Sequence, residues 1–110
     1  MLLEEQGIDG RLFERFQARF PARFKDTRSD FGDNVRLRDA SAQGAKLTTK
    51  DRLYLHDSVS VEVKLPDGQD PLVMRGKVVW SKNNDPDNWD IGIRFHKVSL
   101  MNMSRLFKFV

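Results

Sequence analysis

Pro21 stands inside a segment that would otherwise suit two structures equally well. Phe13, Phe16, Phe20 and Phe24 recur at helical spacing, and so do Arg11, Arg15, Arg19 and Arg23. The same stretch also alternates, with Phe16, Ala18, Phe20, Ala22 and Phe24 against Gln17, Arg19, Pro21 and Arg23. In a helix interior Pro21 would lose a hydrogen bond and clash with the preceding turn, at ~3 kcal/mol, whereas an edge strand tolerates it. The sequence therefore predicts a strand at about 16–25. Arg19 and Arg23 lie on its face opposite the phenylalanines, and a loop or turn carrying Arg11 and Arg15 precedes it.

The rest of the chain extends that reading. Val35 and Leu37 interleave with Arg36 and Arg38, and Ala45 and Leu47 with Lys46 and Thr48. Val59, Val61, Val63 and Leu65 alternate with Ser60, Glu62 and Lys64, the strongest two-residue period in the chain. Pro66-Asp67-Gly68 follows as a turn. Residues 72–82 are long enough for a well-buried strand, with Gly76 expected to mark a bulge or bend. A polar loop at 83–88 leads into a last strand, where Trp89, Ile91, Ile93 and Phe95 alternate with Asp90, Gly92 and Arg94. From Ser99 the period lengthens: Leu100, Met103, Leu106 or Phe107, and Val110 describe a short amphipathic helix with Ser99 as its N-cap. Six short strands joined by turns predict an all-β, closed or nearly closed antiparallel barrel, with the C-terminal α-helix capping one end or face.

Composition narrows the function. At 110 residues the chain has room for one domain, and without cysteine it has no disulfide framework, zinc ribbon or thiol nucleophile. His56 and His96 are too far apart for a local metal-binding spacing. No nucleophile or acid–base pair stands out, so a non-enzymatic role is expected. The N-terminus lacks a basic leader and a sustained apolar run, and no stretch approaches the ~20 apolar residues of a membrane span. A cytoplasmic protein without direct membrane insertion is the expectation.

The net charge of +3 conceals an uneven distribution. Residues 1–10 carry three acids and no base, residues 11–38 eight bases and four acids, and residues 39–110 eleven bases and nine acids. A basic segment on a nearly balanced body suits a compact anion better than a long nucleic acid. Residues 1–10 read as an N-terminal tail or linker, and 11–110 as the domain.

Two motifs carry candidate chemistry. Arg-x-x-x-Arg occurs in overlap at 11/15, 15/19 and 19/23. Asp39-Ala-Ser41-Ala-Gln-Gly44 falls between two strands and reads as a turn in which Gly44 takes a positive φ. Such a turn would also present a carboxylate and a hydroxyl at the sheet surface.

Together these motifs resemble the PilZ domain family of bacterial cyclic di-GMP receptors, whose signatures are Arg-x-x-x-Arg followed by (Asp/Asn)-x-Ser-x-x-Gly. The resemblance continues through Gly76-Lys-Val-Val-Trp80 and Ile91-Gly-Ile-Arg-Phe95, and so covers about residues 11–110. It implies a six-stranded antiparallel, Greek-key-like barrel with a C-terminal helix. Pro21-Ala-Arg23, similar to a Pro-(Val/Ala)-Arg in the family's first strand, sets the first motif at Arg11 and Arg15. The implied ligand is cyclic di-GMP, held by Arg11, Arg15, Asp39, Ser41 and Gly44, with no further cofactor. Guanidinium groups suit phosphates and the guanine edge, and a carboxylate suits the guanine N1–H and amino group. Trp80 reads equally as a barrel-rim tryptophan or as an aromatic beside the ligand. Gly10 replaces the arginine that many members place before the first motif arginine, a position that influences whether one ligand or an intercalated pair is bound. The resemblance further implies an N-terminal arginine segment that orders on ligand binding and an unidentified protein partner, with motility, pilus function and exopolysaccharide or biofilm production as family-level outputs. A barrel that acts through protein contact alone, without nucleotide, is the alternative.

Overall fold

The computed structural model describes residues 13–25, 30–97 and 99–109. Six strands appear in order: β1 (Phe16–Lys25), β2 (Asp30–Ala40), β3 (Gly44–Thr49), β4 (Ser58–Val63), β5 (Leu72–Asp85) and β6 (Asn88–Phe95). One helix follows, α1 (Leu100–Phe107). The strands close into an antiparallel barrel in the order β1-β2-β3-β6-β5-β4. β3 lies beside β6 while β4, β5 and β6 follow one another as hairpins, which is a Greek-key arrangement. The all-β barrel with a C-terminal helix expected from the sequence is the fold observed.

The alternating residues form the barrel interior. Phe24, Leu37, Leu47, Val61, Val63, Leu72, Val78 and Ile91 are buried in a single core, joined by Met103 and Leu106 of α1. Ser99 caps the helix, its Oγ accepting from the Asn102 amide at 3.4 Å. The two methionines that share this helix differ: Met103 is in the core, whereas Met101 projects into solvent.

Pro21 does not occupy a true edge strand, because β1 is paired with β2 and, over Ala22–Lys25, also with β4. The Pro21 carbonyl accepts from the Lys64 amide at 3.2 Å, so that side of the residue faces β4. Its nitrogen, which cannot donate, lies where the β4 ladder ends, and residues 16–20 pair with β2 only. The edge expected from the proline is thus local. Helix α1 and the residues after it cover this open stretch: Phe16 meets Phe107 edge-on at 5.1 Å, and Phe20 meets Phe109 at 6.3 Å.

Other sequence expectations shift by a few residues. β5 and β6 run further than the polar sequence suggests, leaving only 86–87 between them. Gly76 is in regular register with Val59 and Phe95, so it is not a bulge. A Cβ there would fall 2.2 Å from the Arg94 carbonyl oxygen, and close approach of β6 is its reason for being glycine. His56 is exposed and adopts φ 71° in the β3–β4 connection, where its amide donates to the Val78 carbonyl. No helix among the described residues is long and apolar enough to cross a membrane.

The other side of α1 is tied to the β4–β5 connection. Arg105 donates to both Asp67 carboxylate oxygens, at 2.7 and 3.0 Å, and to the Asp70 carbonyl at 2.6 Å. The hydrogen bond from Arg105 holds the Asp67 carboxyl at about 2 against its usual 3.8. A carboxyl lowered by folding stabilises the native state above its unfolded value, and that contribution fades as pH falls from about 4 towards 2. At about pH 5 the native protein should therefore melt above Asp67→Asn, and the gap should close over that acid range. Thermal melts of both proteins against pH measure this; a gap that persists at about pH 2 contradicts the assignment.

Candidate functional site

Strict alternation along β2 would send Asp39 inward with Val35 and Leu37. Instead Leu37 pairs with Leu47 and Asp39 with Lys46, so Arg38 and Asp39 together oppose one residue of β3. This is a β-bulge, and it turns both side chains outward before Ala40 re-enters the core. The Asp39 carboxylate accepts from Arg15, which lies immediately before β1, in an ion pair spanning 24 positions of chain.

β5 repeats the device. Val78 pairs with Ile93 and Trp80 with Gly92, leaving Val79 and Trp80 opposite one residue. Val79 and Trp80 are both exposed, although alternation after the buried Val78 would put Trp80 inside. The indole lies flat over β6: a Cβ on Gly92 would fall 2.1 Å from its Nε1. Trp80 also borders a depression formed with Tyr54, Leu55, Val79 and Trp89, where Arg52 stands over the Tyr54 and Trp89 rings at 4.9 and 5.3 Å.

The two bulges fall in one cross-strand row. Asp39 faces Lys46, Lys46 faces Gly92, and Gly92 faces Trp80. Three interstrand steps of ~4.8 Å separate Asp39 from Trp80 by about 14 Å along the outer surface. Lys46 comes within 4.0 Å of Asp90. Burial raises the Asp90 carboxyl, but hydrogen bonds from Asn84 and Thr48 and the charges of Lys46 and Arg38 outweigh it and hold the group below its usual range.

Ser41 and Gly44 close the loop beyond Asp39. The Ser41 amide donates to the Gly44 carbonyl at 2.8 Å, and the Ser41 hydroxyl accepts from the Gln43 amide at 3.2 Å. Ser41 is almost fully buried, and this bond leaves its hydroxyl proton available to donate. Gly44 does not adopt the positive φ expected of it. A Cβ there would fall 2.4 Å from the Ile93 carbonyl oxygen, so contact with β6 is what demands glycine. Of the residues singled out in the sequence, the structure thus brings Arg15, Asp39, Ser41 and Gly44 to one end of the row, with Trp80 at the other. Arg11 lies outside the described residues. Sequence reasoning does not reach Lys46 and Gly92; the only signal there is a glycine flanked by two isoleucines and followed by Arg94.

Gly44→Ala should cost roughly 1–3 kcal/mol of folding stability, as expected for overpacking against a backbone oxygen. Urea denaturation measures it, and a neutral substitution would contradict the close β3–β6 contact.

Comparison with known proteins agrees with this architecture. The PilZ domain family matches residues 9–110. No curated protein matches in sequence. Among solved structures, the fold is similar to that of the Bacillus subtilis inhibitor of motility MotI/DgrA, with a TM-score of 0.63 at 12% identity. That similarity covers 86% of this chain but 46% of the other, so this chain spans less than half of that protein. The family match runs from just before β1 through α1, and the chain belongs to the PilZ domain family, a family of cyclic di-GMP receptor domains.

Proposed function

We propose that this chain is a cyclic di-GMP receptor that binds the nucleotide on the outer face running from Arg15 and Asp39 towards Trp80, and signals to a protein partner. The observation that carries the reading is the Arg15–Asp39 pair, formed beside the Ser41–Gly44 loop on a surface that a bulge has turned outward. Cyclic di-GMP offers two phosphates and two guanines. Arg15 suits a phosphate or guanine O6 and N7, and Asp39 suits the guanine N1–H and amino group. Ser41 supplies a hydroxyl donor, and Trp80 a ring on which a base can stack. Lys46, between them, adds a cation to the same row.

Binding exchanges one set of contacts for another. The Arg15 side chain is 56% exposed, and exposed ion pairs contribute only ~0–1 kcal/mol, so a phosphate can take over the guanidinium at little cost. In the proposed mechanism, ligand phosphates draw the N-terminal arginine segment, with Arg11 and Arg15, onto the barrel beside Asp39, Ser41 and Gly44. Repositioning that segment changes the exposed surface and gives a partner something to read. MotI/DgrA is an inhibitor of motility. We extend that to this chain as a proposal that its output passes through a protein partner, with motility as the process to examine first.

The alternative, a domain working by protein contact alone, draws on the same ion pair, because Arg15 already engages the Asp39 carboxylate. Titration calorimetry with cyclic di-GMP decides between them. Saturable binding is expected, weakened roughly 10- to 100-fold in both Arg15→Ala and Asp39→Ala, the range for losing one charged hydrogen bond. No heat of binding selects the protein-contact reading, and full affinity in both variants overturns the assignment of the nucleotide to this site.

A further inference from the structure

Beyond the Asp39 row the barrel carries a second polar face of a different kind. Lys77 of β5 and Arg94 of β6 are direct cross-strand partners. Like charges placed opposite one another destabilise a sheet. Arg75 lies two residues from Lys77, and His96 and Lys97 follow β6; all five side chains are exposed. Across the strand pair on the other side, Ser58 and Ser60 of β4 face Lys77 and Arg75. Helix α1 contains no acidic residue. Among the described residues, none of these five side chains is held by a side-chain hydrogen bond or an ion pair. The contrast with the Arg15–Asp39 and Lys46–Asp90 ion pairs of the neighbouring rows is plain.

The face borders a groove of about 370 Å³ between β5, the end of β6 and the start of α1. Val73, Met74, Phe95 and Met103 supply its apolar lining, while Arg75, His96 and Lys97 stand at its polar margin. Met101, 86% exposed, projects from the same helix. Apolar lining with cations on one side fits a ligand having apolar anchors and carboxylates in alternation. A bilayer presents a flat anionic surface, which cannot follow charges set around a concavity. A peptide segment can, and charge complementarity favours an acidic one.

We infer that the Arg75–Lys77–Arg94 face and its groove dock an acidic, apolar-anchored segment of a partner protein. The anchors enter between Val73 and Met103, and the carboxylates separate and neutralise Lys77 and Arg94. This surface does not depend on nucleotide binding, so a failed cyclic di-GMP titration leaves it standing.

The experiment follows amide shifts of the isotope-labelled full chain, with and without cyclic di-GMP. One probe is a synthetic peptide in which Glu alternates with Leu and Phe; another is the same peptide with Gln for every Glu; a third is phosphatidylglycerol vesicles. Expected are saturable shifts at residues 73–77, 94–97 and 102 with the Glu peptide, weakened about tenfold in Arg94→Gln and in Arg75→Gln and by added salt. Any of several results overturns the inference: no saturable shifts, equal binding of the Gln peptide, shifts confined to the Arg15–Asp39 site, displacement of the peptide by cyclic di-GMP, binding of vesicles in place of the peptide, or self-association of the chain through these residues.

Discussion

A strand with an unbroken two-residue period would hide both Asp39 and Trp80 inside the barrel. One extra residue in β2 and one in β5 prevent this. Each bulge keeps the core in phase on both sides, with Leu37 and Ala40 inward in β2 and Val78 and Ser81 inward in β5, while two consecutive side chains face solvent. The inward turn at Ser81 leaves its buried hydroxyl without a partner among the described residues. The candidate site therefore depends first on strand register, and only then on the identity of its side chains.

The second constraint is closure. A six-stranded barrel has no exposed edge where its ladder is complete, but β1 carries a proline at the point where β4 leaves it. The helix resolves this locally. Phe107 and Phe109 cover Phe16 and Phe20, Met103 and Leu106 fill the core, and Arg105 fastens the helix to the β4–β5 connection. Because Arg15 directly precedes β1, the covering of Phe16 also fixes where that guanidinium enters the outer face.

Much of this is legible in the sequence. The bounds of β1, the Ser99 cap and the six-strand count follow from period and capping chemistry, which are local properties. The bulges are not legible, because an extra residue is defined only against a partner strand. Gly76 has the sequence character of a bulge, yet the irregularity lies at Val79 and Trp80. The same limitation explains the glycines. Gly44 has the sequence setting of a turn glycine, yet its neighbour is a carbonyl of β6, nearly fifty residues away. Turn chemistry can be read along the chain, whereas close approach depends on which strand lies alongside. In the candidate site, Arg15 and Asp39 are identified by motif, but their contact and the Lys46–Gly92 bridge to Trp80 need the register.

Register also brings the two faces into contact. Gly44 closes the loop that contains Ser41, and it pairs with Arg94 of the cationic face. The Phe95 amide donates to the Gln43 carbonyl at 2.8 Å, so the tip of that loop is bonded to the strand whose side chain lines the groove. Any displacement of the Ser41–Gly44 loop must move against β6, and the missing Cβ of Gly44 leaves no slack between them. The backbone that would receive a nucleotide is thus joined directly to the backbone that presents Arg94. The Ser41–Gly44 loop thus follows directly from Asp39 on one side and is bonded to β6 on the other. Between the two faces Leu47 and Ile91 pair across β3 and β6 and are fully buried in the barrel core.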